Sequence, residues 1–150
     1  MKKTVFLIFM IFIFLSFLTS CKETRNAEDI LLYITNDIEE LPYGNLYLKS
    51  AQEGSAAHLP KSSLISLYGE DAIGYEFSLV EDYAIYLCTK YPCEIAVYKC
   101  YTYSDTELIA MMCLKRIDTL RVLLEGTPYK DIPKNSKVEI NGRVVSVTMT

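Results

Sequence analysis

The sequence predicts one α+β domain, helices packed on a mainly antiparallel sheet, behind an N-terminal signal. Three observations predict it. Apolar residues recur at helical spacing across residues 28–41 and again after Ser104. Between them lie segments rich in tyrosine, isoleucine and valine, bounded by turn residues. Near the C-terminus, Asn141-Gly142 separates two more such segments, the strongest short-range hairpin signal. Helix, strands, long helix, hairpin is the order of an antiparallel sheet with helices laid against it.

The signal comes first. Lys2 and Lys3 open the chain, an apolar run follows over residues 5–15, and Ser16, Phe17 and Leu18 extend it to the small residues Thr19 and Ser20. Basic start, short apolar stretch and small residues are the anatomy of a secretory signal. A spanning helix needs about 20 apolar residues to cross about 30 Å of hydrocarbon. This run is shorter, and the polar residues 22–26 follow at once.

Leu18-Thr19-Ser20-Cys21 has the pattern of a bacterial lipobox. Only a thiol accepts a diacylglyceryl group as a thioether, and the peptidase needs small side chains just before the bond it cuts. The expectation is removal of residues 1–20 and a lipid, palmitate-type chains included, on Cys21. Two acyl chains hold where a single chain binds membranes only marginally. An ordinary cleaved signal and an uncleaved anchor are the alternatives. Residues 21–27 then form a lipidated tether, and residues 28–150 an extracytoplasmic domain at the outer face of the cell membrane.

Without the signal, 130 residues remain, enough for one domain with a real core. The 13 remaining basic residues stand against 19 acidic ones, a formal charge of −6. An acidic chain without a basic cluster argues against nucleic acid, whose affinity comes from neutralising phosphates. It argues equally against electrostatic docking on anionic lipid. Five of the six phenylalanines leave with the signal, so Phe77 and twelve tyrosines are the aromatic content of the rest. Tyrosine suits strands and half-buried positions, or a binding face for a protein or a sugar.

Within the domain, Ile30 or Leu31, Ile34, Ile38 and Leu41 form one helical stripe, closed by Pro42-Tyr43-Gly44-Asn45. A brief strand is expected over 46–50, a loop over 52–59, and a helical turn from Pro60 to a C-terminal Gly69. Strands are expected over 74–80, 82–88 and 93–101, the last two joined by the turn 89–92. With Cys88 facing Cys93, Asp82 falls opposite Lys99, Tyr83 opposite Tyr98 and Ile85 opposite Ala96, pairs of the kind that stabilise antiparallel strands. Ser104 and Glu107 have capping-box spacing at the start of a helix that runs to about Glu125 and stops at Gly126. Its inner face is Ile109, Cys113, Ile117, Leu120 and Leu124, with Met112 beside them; Lys115, Arg116 and Arg121 are placed toward solvent. Asn141-Gly142 closes the final hairpin.

LLYITNDI (31–38), LYGED (67–71), CEIAVYK (93–99), the helix after it and NGRVVSVTM (141–149) together resemble a family of small lipoproteins of Gram-positive anaerobes, catalogued as domain of unknown function 4358. The resemblance covers roughly residues 28–149. It implies an extracytoplasmic, lipid-anchored domain and brings no activity, substrate, cofactor or catalytic residue. Members are poor in cysteine beyond the lipid site, whereas this chain has four more, so a function built on those thiols would be its own.

Those four, Cys88, Cys93, Cys100 and Cys113, are spaced C-x4-C-x6-C-x12-C. Outside the membrane, an even count suggests disulfides. Cys88 with Cys93 is reachable across a hairpin, and Cys100 with Cys113 would tie a strand end to a helix; three connectivities remain open. The contrary reading makes Cys100 and Cys113 small buried hydrophobes. Zinc sites bring ligands in close pairs with matching histidines; that spacing is missing and His58 is the lone histidine, so no metal or other cofactor is expected. His58 beside Ser55 in GSAAHLP lacks a nucleophile elbow or an S-x-x-K motif. Glu28-Asp29, Glu39-Glu40, Glu70-Asp71 and Glu81-Asp82 are acidic pairs; a glycosidase needs two carboxylates a set distance apart in a cleft, and Glu70-Asp71 lacks EF-hand spacing for calcium. The functional expectation is a non-enzymatic interaction or accessory module with an envelope protein partner. A small-ligand or cell-wall saccharide binder, or a hydrolase using Glu70, Asp71 or His58, is the alternative.

Overall fold

The computed structural model describes residues 25–150; the expected signal and the expected lipidation site at Cys21 lie outside them. Strands β1 (Gly44–Leu48), β2 (Val80–Cys88), β3 (Glu94–Cys100), β4 (Lys137–Asn141) and β5 (Val144–Met149) form an antiparallel sheet in the spatial order β1-β2-β3-β5-β4. Helix α1 (Ala27–Asn36) covers one face. Helices α2 (Lys61–Tyr68), α3 (Glu70–Gly74) and α4 (Asp105–Leu123), with a 3-10 turn (Glu76–Leu79), pack on the other. The chain is the α+β domain that the segment order predicts.

Strand β3 explains the layering. Ile95 and Val97 point toward α1, while Glu94, Ala96, Tyr98 and Cys100 point toward α4, and six of its seven residues are buried. A strand covered on both faces reads as a near-continuous apolar run, as CEIAVYK does. The β2–β3 register follows the expected one, with Asp82 opposite Lys99, Tyr83 opposite Tyr98 and Ile85 opposite Ala96. A bulge between Val80 and Asp82 lets Val80 join the α4-side core while Asp82 turns to the α1 side. There its Oδ2 accepts the Ala27 backbone N–H at 2.9 Å, which fixes where α1 begins. Asn26 completes the cap by accepting from Asp29 N–H at 2.7 Å.

Four expectations are corrected. Helix α1 ends at Asn36 rather than near Leu41; Asn36 and Asp37 compete with the helix for backbone hydrogen bonds, and Ile38 and Leu41 reach the same core from the following turn. Residues 74–79 are not a strand but the end of α3 and the 3-10 turn, and β2 begins at Val80. Helical spacing brings Ile73 and Phe77 together onto the core, where the Phe77 ring meets Tyr83 and Tyr98 edge-on. The capping box is Thr102 with Asp105, two residues earlier than Ser104 with Glu107. Asp105 accepts from Thr102 N–H at 2.9 Å, and Thr102 Oγ1 from Asp105 N–H at 3.3 Å; Ser104 already has helical backbone angles and caps nothing. In the last hairpin Asn141 pairs with Val144, so Gly142 and Arg143 are the loop. Gly142 has φ of 61° and Arg143 none above zero, the II′ rather than the I′ pattern. Arg143 then reaches Glu81 and the carbonyls of Cys100 and Tyr101, contacts that fix this register.

Candidate functional site

The most unusual chemistry lies inside. Glu94 opens β3 on its inward-facing side and is 1% exposed. Its two oxygens are divided between helices. Tyr68, at the end of α2, donates its hydroxyl to Oε1; Arg116, midway along α4, donates Nε to Oε2 at 3.3 Å. Tyr98 donates in turn to the Tyr68 hydroxyl at 2.6 Å. Burial raises the Glu94 carboxyl above the ordinary glutamate range, and Arg116 and the Tyr68 hydrogen bond pull it only part of the way back. Both tyrosine hydroxyls are pushed well above theirs, by burial first and by the neighbouring Glu94 charge.

This group acts as an anchor. Tyr68 is 6% exposed and Tyr98 is fully buried, so the carboxylate touches protein rather than solvent. One charge binds α2, α4 and β3 together at one end of the sheet. The signal for it was present in the sequence. Glu94 shares a strand face with Ala96, Tyr98 and Cys100, and Arg116 lies three residues past Cys113 on the inner side of α4. Assigning Arg116 to solvent overlooked that a long side chain at the margin of a buried face can turn inward to a carboxylate.

His58 and Ser55 do line a recess. It is an open hollow of about 690 Å³ beside the loop before α2, floored by Leu59, Leu64 and Tyr83 and rimmed by Glu53, His58 and Lys61. His58 donates its backbone N–H to the Ser55 carbonyl at 3.1 Å, a turn contact rather than a nucleophile–base pair. Burial, with Asp82 adding to it, raises the Tyr83 hydroxyl. The acidic pairs are dispersed. Glu28-Asp29 and Glu70-Asp71 lie in the first turns of α1 and α3, where they favour the helix dipole. Glu81 faces Arg143 at 3.0 Å and Lys99 at 3.9 Å, and Asp82 caps α1. Among the described residues no three of His, Cys, Asp or Glu are placed to hold a metal ion.

Cys88 and Cys93 stand at disulfide distance, their Cα atoms 5.3 Å apart across the β2–β3 turn. Cys100 and Cys113 are buried and carry free thiols. Burial pushes Cys100 up to about 11, and it raises Cys113 with Glu94 adding to the effect. Neither sulfur is a poised nucleophile. No helix among the described residues is long and apolar enough to cross a membrane. The outer surface instead carries tyrosines: Tyr33, Tyr43, Tyr75, Tyr91, Tyr101 and Tyr103 are all about half exposed or more.

Compared with protein families, curated proteins and solved structures, the chain matches none of them.

Proposed function

We propose that this chain is a lipid-anchored envelope protein, held by Cys21 at the outer face of the cell membrane, whose domain works by binding a protein partner there. One observation carries the reading: the folded domain begins almost at the anchor. Asp82 pins the N–H of Ala27, only six residues after Cys21. At about 3.5 Å per extended residue, that tether reaches roughly 20 Å. A domain held so close works within reach of the membrane surface, where a membrane-bound partner meets it at high local concentration. The resemblance to the lipoprotein family of unknown function 4358 points the same way. So does the chemistry, since the buried carboxylate is occupied by structural partners and the exposed tyrosines are suited to a protein face. On the outer face the Cys88–Cys93 bridge forms and closes the β2–β3 turn.

The recess beside His58 favours a second reading, a small-ligand or cell-wall saccharide binder, because it joins an apolar floor that includes Tyr83 to a polar rim. Cross-linking in intact cells, with a Cys21→Ala variant alongside, separates the two. The first reading expects one specific partner with the native chain and its loss in the variant. A small molecule retained through purification, and lost on His58→Ala, would favour the second. Intact mass of the membrane-extracted protein tests the anchor itself: an unmodified thiol at Cys21 removes it.

A further inference from the structure

The sheet has two edges, and they are finished differently. At β1 the strand end is partnered: Leu48 donates its N–H to the Ala57 carbonyl at 2.9 Å. At β4 no such contact exists among the described residues, and four of its five residues are exposed.

The hairpin dictates what β4 shows. A two-residue loop makes Asn141 and Val144 a hydrogen-bonded pair, and bonding alternates from there. Asn141, Glu139 and Lys137 therefore bond inward to β5. The N–H and C=O groups of Val138 and Ile140 point outward from the edge.

We infer that β4 pairs with β4 of a second copy of this chain, antiparallel about a two-fold axis at Val138, joining two five-stranded sheets into one. Charge selects the register. With Val138 opposite Val138, the outward N–H and C=O groups meet as a hydrogen-bonded pair. Lys137 of each copy then faces Glu139 of the other, in the closer, non-bonded pair positions. Moving the register by one pair would set Glu139 against Glu139, a like-charge contact that destabilises. Lysine on an edge strand ordinarily deters pairing. Here Lys137 and Glu139 lie on one face, already 2.7 Å apart within the strand, and the two-fold turns them into a closed square of alternating charges. A two-fold interface must be self-complementary, and this strand is. Half-exposed Ile140 on the opposite face gains cover at the same junction. The inference is independent of the anchor on Cys21, so either can fail alone.

The test uses the full chain in mild detergent, with mass read by sedimentation equilibrium. The native chain is expected at twice its monomer mass. K137E, with two acids on the strand, and E139K, with two bases, are each expected at single mass. Mixed in equal amounts they should return to the double mass, since each supplies the charge that the other lacks. Both side chains are more than half exposed, so far-UV circular dichroism should show the native fold in each variant. A native chain at single mass up to its solubility limit overturns the inference. Single variants that associate as the native chain does, or a mixture that stays monomeric, overturn it as well.

Discussion

On the α1 side of the sheet, Ala27, Leu31, Ala84, Ile95, Val97 and Val144 meet as apolar side chains, and the Asp82 carboxylate, accepting from the Ala27 N–H, sets the helix in place. On the α4 side a larger apolar cluster surrounds a chain of four polar groups, Tyr98, Tyr68, Glu94 and Arg116. The two sides should fail differently. Apolar contacts are lost in proportion to the atoms removed. A buried hydrogen-bonded charge is lost all at once, because removing one partner leaves the others unpaired where water cannot reach them.

The largest effect is expected from Arg116→Ala. It leaves the Glu94 carboxylate buried with Tyr68 alone, and breaking a buried pair in this way costs about 3–5 kcal/mol. Replacing both charges by apolar side chains, Glu94→Leu with Arg116→Met, should come within about 1 kcal/mol of the native stability, since such replacements are often neutral or stabilising. Urea unfolding of the two variants decides the matter; equal losses in both would show that the charges stabilise the fold in their own right.

On the other side, Leu31→Ala should cost about 3 kcal/mol, within the range for a fully buried leucine. Leu31→Met, nearly equal in volume, should cost less than about 1.5 kcal/mol. If Leu31→Met were as harmful as Leu31→Ala, the contrast between graded and all-or-none failure would not hold. With the proposed Cys88–Cys93 bridge formed, Cys93→Ala should cost about 2 kcal/mol from the short loop it closes. Thiol titration of the unfolded, unreduced native chain should find Cys100 and Cys113 reactive and the hairpin pair silent.

Asn26→Ala should cost about 1 kcal/mol, the usual loss for an N-cap. The smallest effect is one of slope. Burial holds the folded-state carboxyl of Glu94 above its unfolded value, so the native chain keeps that proton to higher pH than the unfolded chain does. Stability from this group is fully present below the unfolded carboxyl pKa and is lost as pH rises through the raised folded one. Glu94→Gln should lack that decline. Urea midpoints of both proteins between pH 4 and 7 test it, and parallel curves would contradict the raised carboxyl.

Much of the fold was legible. The β2–β3 register followed from cross-strand pairs that agreed at several positions, Asp82 with Lys99 and Tyr83 with Tyr98 among them. Gly69 ends α2 at φ of 92°, a backbone conformation that glycine adopts without steric cost. The inner face of α4 ran from Ile109 to Leu120 as its spacing indicated. The site was less legible. Glu94 looked like one acid in a tyrosine-rich strand, and only its alternation with Ala96 and Tyr98 marked it as inward. Gly44 went unremarked except as a turn residue. A Cβ there would meet the Leu87 carbonyl oxygen and the Tyr86 ring, the latter at 2.8 Å.

By itself the sequence determined the elements whose signals are local: helix faces written in 3.6-residue spacing, strands bounded by turn residues, and the α+β order. Local spacing suffices there because side chains three and four apart must share a helix face, and alternate residues a strand face. Only the tertiary structure decided the rest. Residues 74–79 left the expected strand because Phe77 found Tyr83 and Tyr98 across the core, and the last turn slipped one residue because Arg143 found Glu81 and two carbonyls. Arg116 turned inward because Glu94, 22 residues away in the chain, was waiting without water. Such partners are distant in sequence, and the low dielectric that makes them matter exists only after the layers have closed.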